Sequence, residues 1–515
     1  MNNKSFTDNR LVLKNTLMLY IRQILILFIS LFTSRIVLKA LGSTDFGIYN
    51  LVGGIATMLG FLSSAMVIAC QRYFSFYIGQ RDKENLKKAF TTSIYIYLAI
   101  SIIIILFAET IGIWFINNIL VIPSNRLLSA NFVYQFSLIS FVVTVLGTPF
   151  TAIIVSYEKM EIYARISVFE CLLKVFMAYM LNTVLIDKLS LYGFFMMLIS
   201  FIVTSCYIVY CSKIISISYF KFDLFDKNIF FKMGKFISWN LLGNISGTVY
   251  NLGSNILVNL FFGPTINTAK SIASQINSSV NSFASQFSSA IRPQLVKNYA
   301  SYNYKDMLIQ LYNGTKITFF LIYIFVLPLS IEMPFVLKLW LGEYPQYTVQ
   351  FAILILIATC IEVTTYALDT VAQATGDVKN YQLFISTLYL LNIPISFVFL
   401  SLGAKPYIII VIYSIIVFFS IIVRVIIIHF LIKEFSVFNY CKDVLLRIII
   451  LVIATIPIPI ICSSFFEDGF FRLIIITLIS VIEVIGFSYF ILFSAIERNI
   501  IKEKIKKYFW RLKKL

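Results

Sequence analysis

The sequence has few charged residues, and this excludes a protein built of soluble domains. Lys, Arg, Asp and Glu make up 13% of its 515 residues, whereas about a quarter of the residues in a soluble domain are charged. Hydrophobic residues make up 59%, and no polar stretch is long enough to form a soluble domain. The composition therefore predicts an all-α polytopic membrane protein.

Signatures of nucleotide chemistry and of metal binding are also missing. The chain has no Walker motif, which disfavours ATP hydrolysis. Its seven cysteines are scattered, mostly within apolar stretches, and we expect them to be small packing residues. We therefore predict a protein that is not an enzyme, with no catalytic residues, no cofactor and no metal site.

Fourteen apolar stretches run the length of the chain. Each has about the 20 residues that a helix needs to cross a bilayer. They lie near 11–39, 45–78, 89–116, 129–156, 162–186, 190–212, 234–262, 266–299, 309–340, 347–373, 379–402, 406–432, 444–464 and 470–494.

The formal net charge of +18 follows from the distribution of Lys and Arg among the loops. If the N-terminus is inside, the inner segments carry 29 of these residues and the outer segments carry 8. Such an excess is typical of cytoplasmic loops and gives no reason to expect nucleic-acid binding. It predicts that both termini are cytoplasmic, which requires an even number of spans.

The first six spans resemble the next six. A shift of 221 residues places Gly42 on Gly263 and Gln71 on Arg292. This pattern predicts two six-helix lobes related by a pseudo-two-fold axis along the membrane normal, although chance similarity of apolar sequences is an alternative. The expected parts are an N-terminal lobe at 1–225, a C-terminal lobe at 226–432, two extra transmembrane helices at 433–494, and a basic cytoplasmic tail at 495–515 on the inner membrane surface.

Polar residues recur at helical spacing in the seventh and eighth spans. Lipid offers no hydrogen-bond partners, so such stripes must face water or protein. Two neighbouring polar stripes predict a solvated cavity inside the helix bundle. The stripes comprise Asn244, Thr248, Asn251, Asn255 and Asn259 in one span, and Ser271, Gln275, Ser278, Ser282, Ser285 and Ser289 in the next.

Positive side chains within the spans predict an anion site. Arg22 lies midway along the first span, where a charge is costly unless it faces the cavity. Arg35, Arg72, Lys270 and Arg292 lie nearer the ends of their spans, so they either join the anion site or reach the membrane interface. Arginine suits phosphate oxygens because its guanidinium can donate two parallel hydrogen bonds.

Acidic residues within the spans allow two further interpretations. Glu170 and Lys174 are four residues apart, and we expect a structural ion pair. Glu362 and Asp369 share one face of the tenth span. They either bind a coupling cation or proton, or pack against a polar neighbour.

Three short motifs, in this order and spacing, resemble the polysaccharide flippases of the MATE-like MOP exporter superfamily. They are LGSTDFGIY at 41–49, LWLG at 339–342 and ATGD at 374–377. Fourteen spans in two lobes plus two, with an arginine in the first helix, are also similar to that family. The resemblance covers nearly the whole chain.

The resemblance implies a transporter of the bacterial inner membrane that moves lipid-linked oligosaccharides from the cytoplasmic to the periplasmic leaflet by alternating access. The substrates of that family are usually carried on undecaprenyl diphosphate and serve surface glycans such as O-antigen or capsule. Arg22 and the cations of the second and eighth spans would contact the diphosphate or an acidic sugar. The polar stripes would contact sugar hydroxyls, and the last two spans would help to hold the polyprenyl tail. Membrane lipids and polysaccharide assembly proteins are the other expected partners.

Two other functions remain open at this point. A MATE-like cation-coupled drug or metabolite antiporter would have the same fold, but its central cavity in the first lobe should contain carboxylates, and the first two spans have none in mid-membrane. A membrane glycan polymerase or glycosyltransferase usually has a large outer loop or clustered acidic residues. The outer loops here are short.

Overall fold

The computed structural model describes residues 2–58, 60–118, 120, 122–181, 183, 187–212, 224–492 and 498. These residues form helices and short connections, and none of them is in a strand. The predicted all-α fold is therefore confirmed. The basic tail lies outside the described residues apart from residue 498, and so does part of the central basic connection, 213–223.

The helices follow the predicted spans closely. In the first part of the chain they are α1 (Asn2–Met58), α2 (Gly60–Gln80), α3 (Lys83–Phe107), α4 (Ile113–Asn118), α5 (Leu127–Ser156), α6 (Met160–Met180) and α7 (Lys188–Tyr210), with a π-helical turn (Ala108–Gly112) joining α3 to α4. In the second part they are α8 (Lys227–Ala300), α9 (Tyr304–Leu341), α10 (Thr348–Glu362), α11 (Tyr366–Thr375), α12 (Lys379–Ser401), α13 (Ile408–Leu431), α14 (Val437–Tyr440), α15 (Leu446–Thr455), α16 (Pro457–Ser463) and α17 (Phe470–Ile491).

Ten helical stretches of the described chain are long and apolar enough to cross a membrane. The other predicted spans, near 45–78, 162–186, 234–262 and 266–299, are helical over most of their length but less apolar. They contain the two polar stripes, Arg72 and the pair Glu170 and Lys174. The weaker membrane signal therefore coincides with the polar stripes and Arg72, whereas Arg22 and Glu362 lie in strongly apolar stretches.

The two longest helices are each broken at one glycine. Gly42 in α1 has φ 79° and ψ 170°, and Gly263 in α8 has φ 79° and ψ −179°. Only glycine adopts this conformation readily, because a Cβ atom would clash with the backbone. The 221-residue shift pairs these two glycines, so the same break occurs at equivalent points, as expected of a duplicated helical unit.

The chain forms two compact units. Unit 1 comprises Met1–Ile245, Ser289–Asn303 and Gln373–Gln382, and unit 2 comprises Ser246–Ser288, Tyr304–Ala372 and Leu383–Leu515. Unit 1 thus contains both ends of α8 and the α11–α12 turn in addition to the first seven helices. The domain boundaries given above remain a prediction.

The core of unit 1 is formed by α2, α3, α5 and α7. Met66, Phe74, Tyr97 and Ile153 are among its fully buried side chains. Large apolar side chains are also exposed on the outside of the helices, as Phe28 and Leu106 are. This arrangement is expected when lipid is the surrounding solvent, because lipid accepts apolar side chains as readily as a protein core does.

In unit 2, a buried ion pair joins α9 to α17. Glu332 is fully buried, and the Arg472 Nε atom lies 3.0 Å and 3.1 Å from its two carboxylate oxygens. Arg472 also pairs with Asp468 just before α17. In the sequence, Glu332 lies between Pro328 and Pro334 with no cation nearby, whereas the structure shows that its partner lies in the last helix.

Candidate functional site

The Arg22 side chain is turned toward α6. Its Cζ atom lies 4.6 Å from the centre of the Tyr163 ring, a cation–π contact. The Nε and Nη1 atoms of Arg22 are buried and have no hydrogen-bond partner among the described residues. A buried donor without a partner costs free energy. The described residues therefore supply no acceptor for these two guanidinium nitrogens.

Arg72 is engaged within unit 1. It is 8% exposed, lies against the rings of Tyr73 and Phe76 at 4.6 Å and 4.7 Å, and donates through Nη2 to the Ala374 carbonyl at 3.1 Å. The contact joins α2 to the last turn of α11. The structure thus gives Arg72 a positioning role, and its predicted contact with substrate remains a prediction.

Gly376 leaves space for the Arg72 side chain, and a substitution of this glycine should destabilise the protein. Its φ is +82°, and an added Cβ would lie 2.6 Å from the Arg72 Nη2 atom. We expect Gly376→Ala to cost about 1–3 kcal/mol of unfolding free energy from backbone strain, and more from displacing Arg72. Gly342→Ala is the matched control, because Gly342 has φ +75° but no atom within 4 Å of an added Cβ. Denaturant unfolding of both purified variants measures the difference, and equal losses would contradict the Arg72 contact.

Arg292 contacts Gln71, the residue with which the 221-residue shift pairs it. Its Nη1 atom donates to the Gln71 side-chain oxygen at 3.4 Å, and both residues belong to unit 1. Lys270 belongs to unit 2, is 4% exposed, and donates to Asn255 Oδ1 at 2.7 Å and to Ser254 Oγ. The structure therefore brings Lys270 together with Asn255. Arg35 is exposed on α1.

Glu158 forms a cluster that the local sequence does not indicate. It follows α5 with a left-handed φ of 60° and is almost fully buried. Its carboxylate accepts from Lys297 Nζ at 2.5 Å and from Gln294 Nε2 at 3.0 Å, both near the end of α8. Sequence patterns place Glu158 only in a loop, because nothing near it signals a partner 139 residues away.

The polar stripe of α8 continues on both sides of Gly263, with mostly asparagines before this glycine and mostly serines after it. Before it, Asn244 is half-buried and Asn251 is exposed, with its Nδ2 atom donating to the Gly247 carbonyl at 3.0 Å. After it, Gln275 and Ser278 are exposed, and Ser278 Oγ donates to the Gln275 carbonyl at 2.9 Å. The serine donors are thus satisfied by the helix itself, whereas the oxygen lone pairs remain able to accept.

A second polar face of α8 lies against α10 and α11. Asn277 Oδ1 accepts from Thr359 Oγ1 at 2.5 Å, and Asn281 Oδ1 accepts from the Tyr366 hydroxyl at 2.9 Å. These asparagines were not part of the predicted stripe. The structure therefore separates packing residues from exposed stripe residues on the same helix.

Unit 2 contains a buried charged cluster beside these asparagines. Arg424 is 4% exposed, and its Nε donates to Asp369 Oδ1 at 2.9 Å while Nη1 donates to Ser420 Oγ at 2.5 Å. Glu362 accepts a hydrogen bond from Tyr413, whose ring stacks on that of Tyr250 at 4.4 Å. Asp369 is thus bonded directly to Arg424, whereas Glu362 is bonded to a hydroxyl and interacts with Arg424 through charge alone. The predicted coupling role of both acids remains a prediction.

The expected pair in α6 is present. Lys174 Nζ lies 2.6 Å from Glu170 Oε1, and both side chains are about a third exposed. We expect the double change Glu170→Ala with Lys174→Ala to be tolerated better than either single change, because each single change leaves one charge alone within a span. Protein abundance in the membrane and thermal unfolding of the three variants provide the test. A double variant less stable than both single variants would contradict the ion-pair interpretation.

Comparison with known proteins supports the fold. The MatE family profile matches residues 19–180, and no curated protein matches the chain in sequence. A MATE structure in the bent conformation is 13% identical, with a TM-score of 0.70 over 84% of this chain and 99% of that one. A MOP superfamily transporter from Pyrococcus furiosus, described as having a binding pocket of reverse polarity that suggests a different function, is 14% identical, with a TM-score of 0.67 over 80% and 94%.

A third solved structure is an outward-facing multidrug resistance MATE transporter of the MOP superfamily. It is 14% identical to this chain, with a TM-score of 0.66 over 80% of this chain and 93% of that one. At such identities the likeness concerns the backbone. The chain therefore has the fold of the MATE transporters of the MOP superfamily, and the first six helices contain the segment that matches the MatE profile.

Proposed function

We propose that the protein is a transporter of the bacterial inner membrane that moves a lipid-linked oligosaccharide, carried on undecaprenyl diphosphate, from the cytoplasmic to the outer leaflet. It would act by alternating access and catalyse no covalent chemistry. The observation that carries this proposal is Arg22, a cation in mid-span with two buried guanidinium donors that lack a partner in the described chain. A diphosphate supplies the acceptor oxygens that these donors need.

The exposed stripe on α8 supports a sugar as the other part of the substrate. Gln275 and Ser278 are exposed polar residues on a helix flanked by apolar spans. Hydroxyls and amides form hydrogen bonds with sugar hydroxyls that water can replace, which suits a substrate that is bound and then released. Polysaccharide assembly proteins would supply and receive the substrate.

A cation-coupled drug or metabolite antiporter is the second candidate. Glu362 favours it, because this acid of unit 2 accepts a hydrogen bond from a tyrosine hydroxyl, while the cation beside it, Arg424, is bonded to Asp369. The multidrug resistance MATE transporter among the similar structures also points this way. Arg22 argues against it, since a guanidinium in the first span repels a cationic drug.

Reconstitution in liposomes distinguishes the two candidates. We expect the purified protein to move a polyprenyl diphosphate-linked oligosaccharide across the bilayer, measured by the protection of its sugar from an added glycosidase. An ion gradient should drive no efflux of a cationic dye. Dye efflux without oligosaccharide movement would overturn the proposal and favour the antiporter.

Deletion of the chain in its host gives the matching cellular result. We expect a lipid-linked sugar to accumulate at the inner leaflet and the surface glycan to disappear. Unchanged glycan display and an unchanged pool of lipid-linked sugar would contradict a role in export.

A further inference from the structure

An apolar groove lies between α6 and α7 on unit 1. It has a volume of about 760 Å³, which is within the range of pockets that bind small molecules. Its residues include Ile162, Arg165, Phe201, Ser205, Cys206 and Tyr210. The groove is concave because Ser205 and Cys206 place small side chains on α7 between larger ones. It belongs neither to the polar stripes nor to the cation sites described above.

The length of the groove matches one leaflet of a membrane. The lining residues of α7 extend from Phe201 to Tyr210, which is about 13 Å along a helix at 1.5 Å per residue. The hydrocarbon core of a bilayer is about 30 Å thick, so one leaflet contributes about half of that. The groove is therefore long enough to hold the part of one acyl chain that lies next to the headgroup.

One end of the groove is charged and the rest is not. Of the described residues that line it, Arg165 alone is charged, and its side chain is 72% exposed. It lies in the first turns of α6, close to the end of α7 and therefore to Tyr210. The charge distribution predicts that this end faces the cytoplasm, where anionic headgroups attract basic residues near membrane helices.

The surroundings of Arg165 favour an anion. Glu161 is the nearby carboxylate, and it is shared: one oxygen pairs with Arg165, and the other lies 3.1 Å from Lys14 Nζ. Lys159, one residue before α6, is exposed as well. Three cations and one carboxylate leave a formal charge of +2 at the mouth of the groove.

We propose that this groove is a binding site for an anionic phospholipid of the inner leaflet, such as phosphatidylglycerol. One acyl chain lies along Phe201, Ser205 and Cys206, and the phosphate binds Arg165 with help from Lys159. The two halves of the site match the two halves of the ligand, an apolar chain and a negative headgroup. The inference is independent of the proposed transport function, because it concerns the lipid-facing side of unit 1.

Native mass spectrometry of the purified full-length protein tests the site. Phosphatidylglycerol and phosphatidylcholine with identical acyl chains are offered at equal concentration. We expect preferential retention of phosphatidylglycerol, and an affinity about fivefold lower in Arg165→Gln, the loss expected for one basic residue near an anionic headgroup. Arg447→Gln is the matched control, because Arg447 also pairs with a carboxylate four residues earlier, Asp443 at 3.1 Å, but does not line the groove. It should leave lipid binding unchanged.

A second variant tests the apolar half without changing charge. Ser205→Trp fills the groove, and we expect it to lower phosphatidylglycerol binding while Arg165 is intact. Equal retention of both lipids by the wild-type protein would overturn the proposal, and so would full binding by Ser205→Trp. Displacement of phosphatidylglycerol by undecaprenyl phosphate at equal concentration would assign the groove to the transported lipid instead. A dimer that forms as the lipid leaves would assign it to a second copy of the chain, and the proposal would fail in that case too.

Discussion

Arg22→Ala is expected to reduce export of the surface glycan at least tenfold, to about the background of the deletion strain, because a charge-assisted hydrogen bond is worth about 1.5–3 kcal/mol. The variant removes the two donors that lack a partner in the described chain. The measurement is the amount of surface glycan, together with oligosaccharide movement in liposomes. The same substitution should lower both.

The amount of protein in the membrane should not change. In the described structure, Arg22→Ala removes the cation–π contact with the Tyr163 ring at 4.6 Å. A cation–π contact contributes about 0.5–2 kcal/mol to stability. Removing a charged side chain from within a span is favourable and offsets part of this loss. Lower export at normal abundance would therefore reflect lost substrate binding and not misfolding.

Two further variants test whether Arg22 acts through its charge, its planar guanidinium or its packing against Tyr163. Arg22→Lys keeps the charge but loses the planar fork, so we expect partial export. Tyr163→Phe keeps the ring under the guanidinium and should export normally. Normal glycan display in Arg22→Ala would refute the anion site, and equal defects in Tyr163→Phe and Arg22→Ala would point to packing between α1 and α6 instead.

Arg424→Met is expected to destabilise the protein strongly. Arg424 is 4% exposed and pairs with Asp369 at 2.9 Å. Removing one partner of a buried ion pair costs about 3–5 kcal/mol, and here Asp369 and the neighbouring Glu362 both lose the positive charge of Arg424. Thermal unfolding in detergent, followed by the monodisperse fraction, measures the loss.

An additional substitution of Asp369 should restore part of the stability lost in Arg424→Met. Arg424→Met with Asp369→Asn removes the charge of Asp369 together with that of Arg424, so we expect the double variant to unfold at a higher temperature than Arg424→Met. Arg447→Met is the control, since its pair with Asp443 is considerably more exposed and should contribute less than about 1 kcal/mol. A double variant no more stable than Arg424→Met would show that Asp369 is not the group that Arg424 compensates.

The helices and their breaks could be predicted because they depend on local patterns. Apolar length predicted the spans, and the glycine turns at Gly42 and Gly263 followed from their flanking sequence. The pair Glu170 and Lys174 was predictable for the same reason, since a spacing of four residues places two side chains on one face of a helix.

The partners of the isolated charges could not be predicted. Arg72 donates to a carbonyl 302 residues away, and Glu158 accepts from Lys297. Such contacts depend on how distant helices pack, and a single sequence contains no signal for that. The sequence placed Arg72 and Arg22 in one group of cations, whereas the structure gives Arg72 a backbone acceptor and aromatic neighbours and leaves two Arg22 donors without a partner in the described chain.

The pairing of Glu332 with Arg472 has a consequence for the evolution of chain length. A protein truncated before its final helix would retain an ionised carboxylate in apolar surroundings, with its counter-ion removed. In a relative that lacks the final helix, we therefore expect a neutral residue at position 332 or another cation within reach of it. The acid at 332 and the final helix are expected to be gained or lost together, and neither can be grafted onto a shorter relative alone.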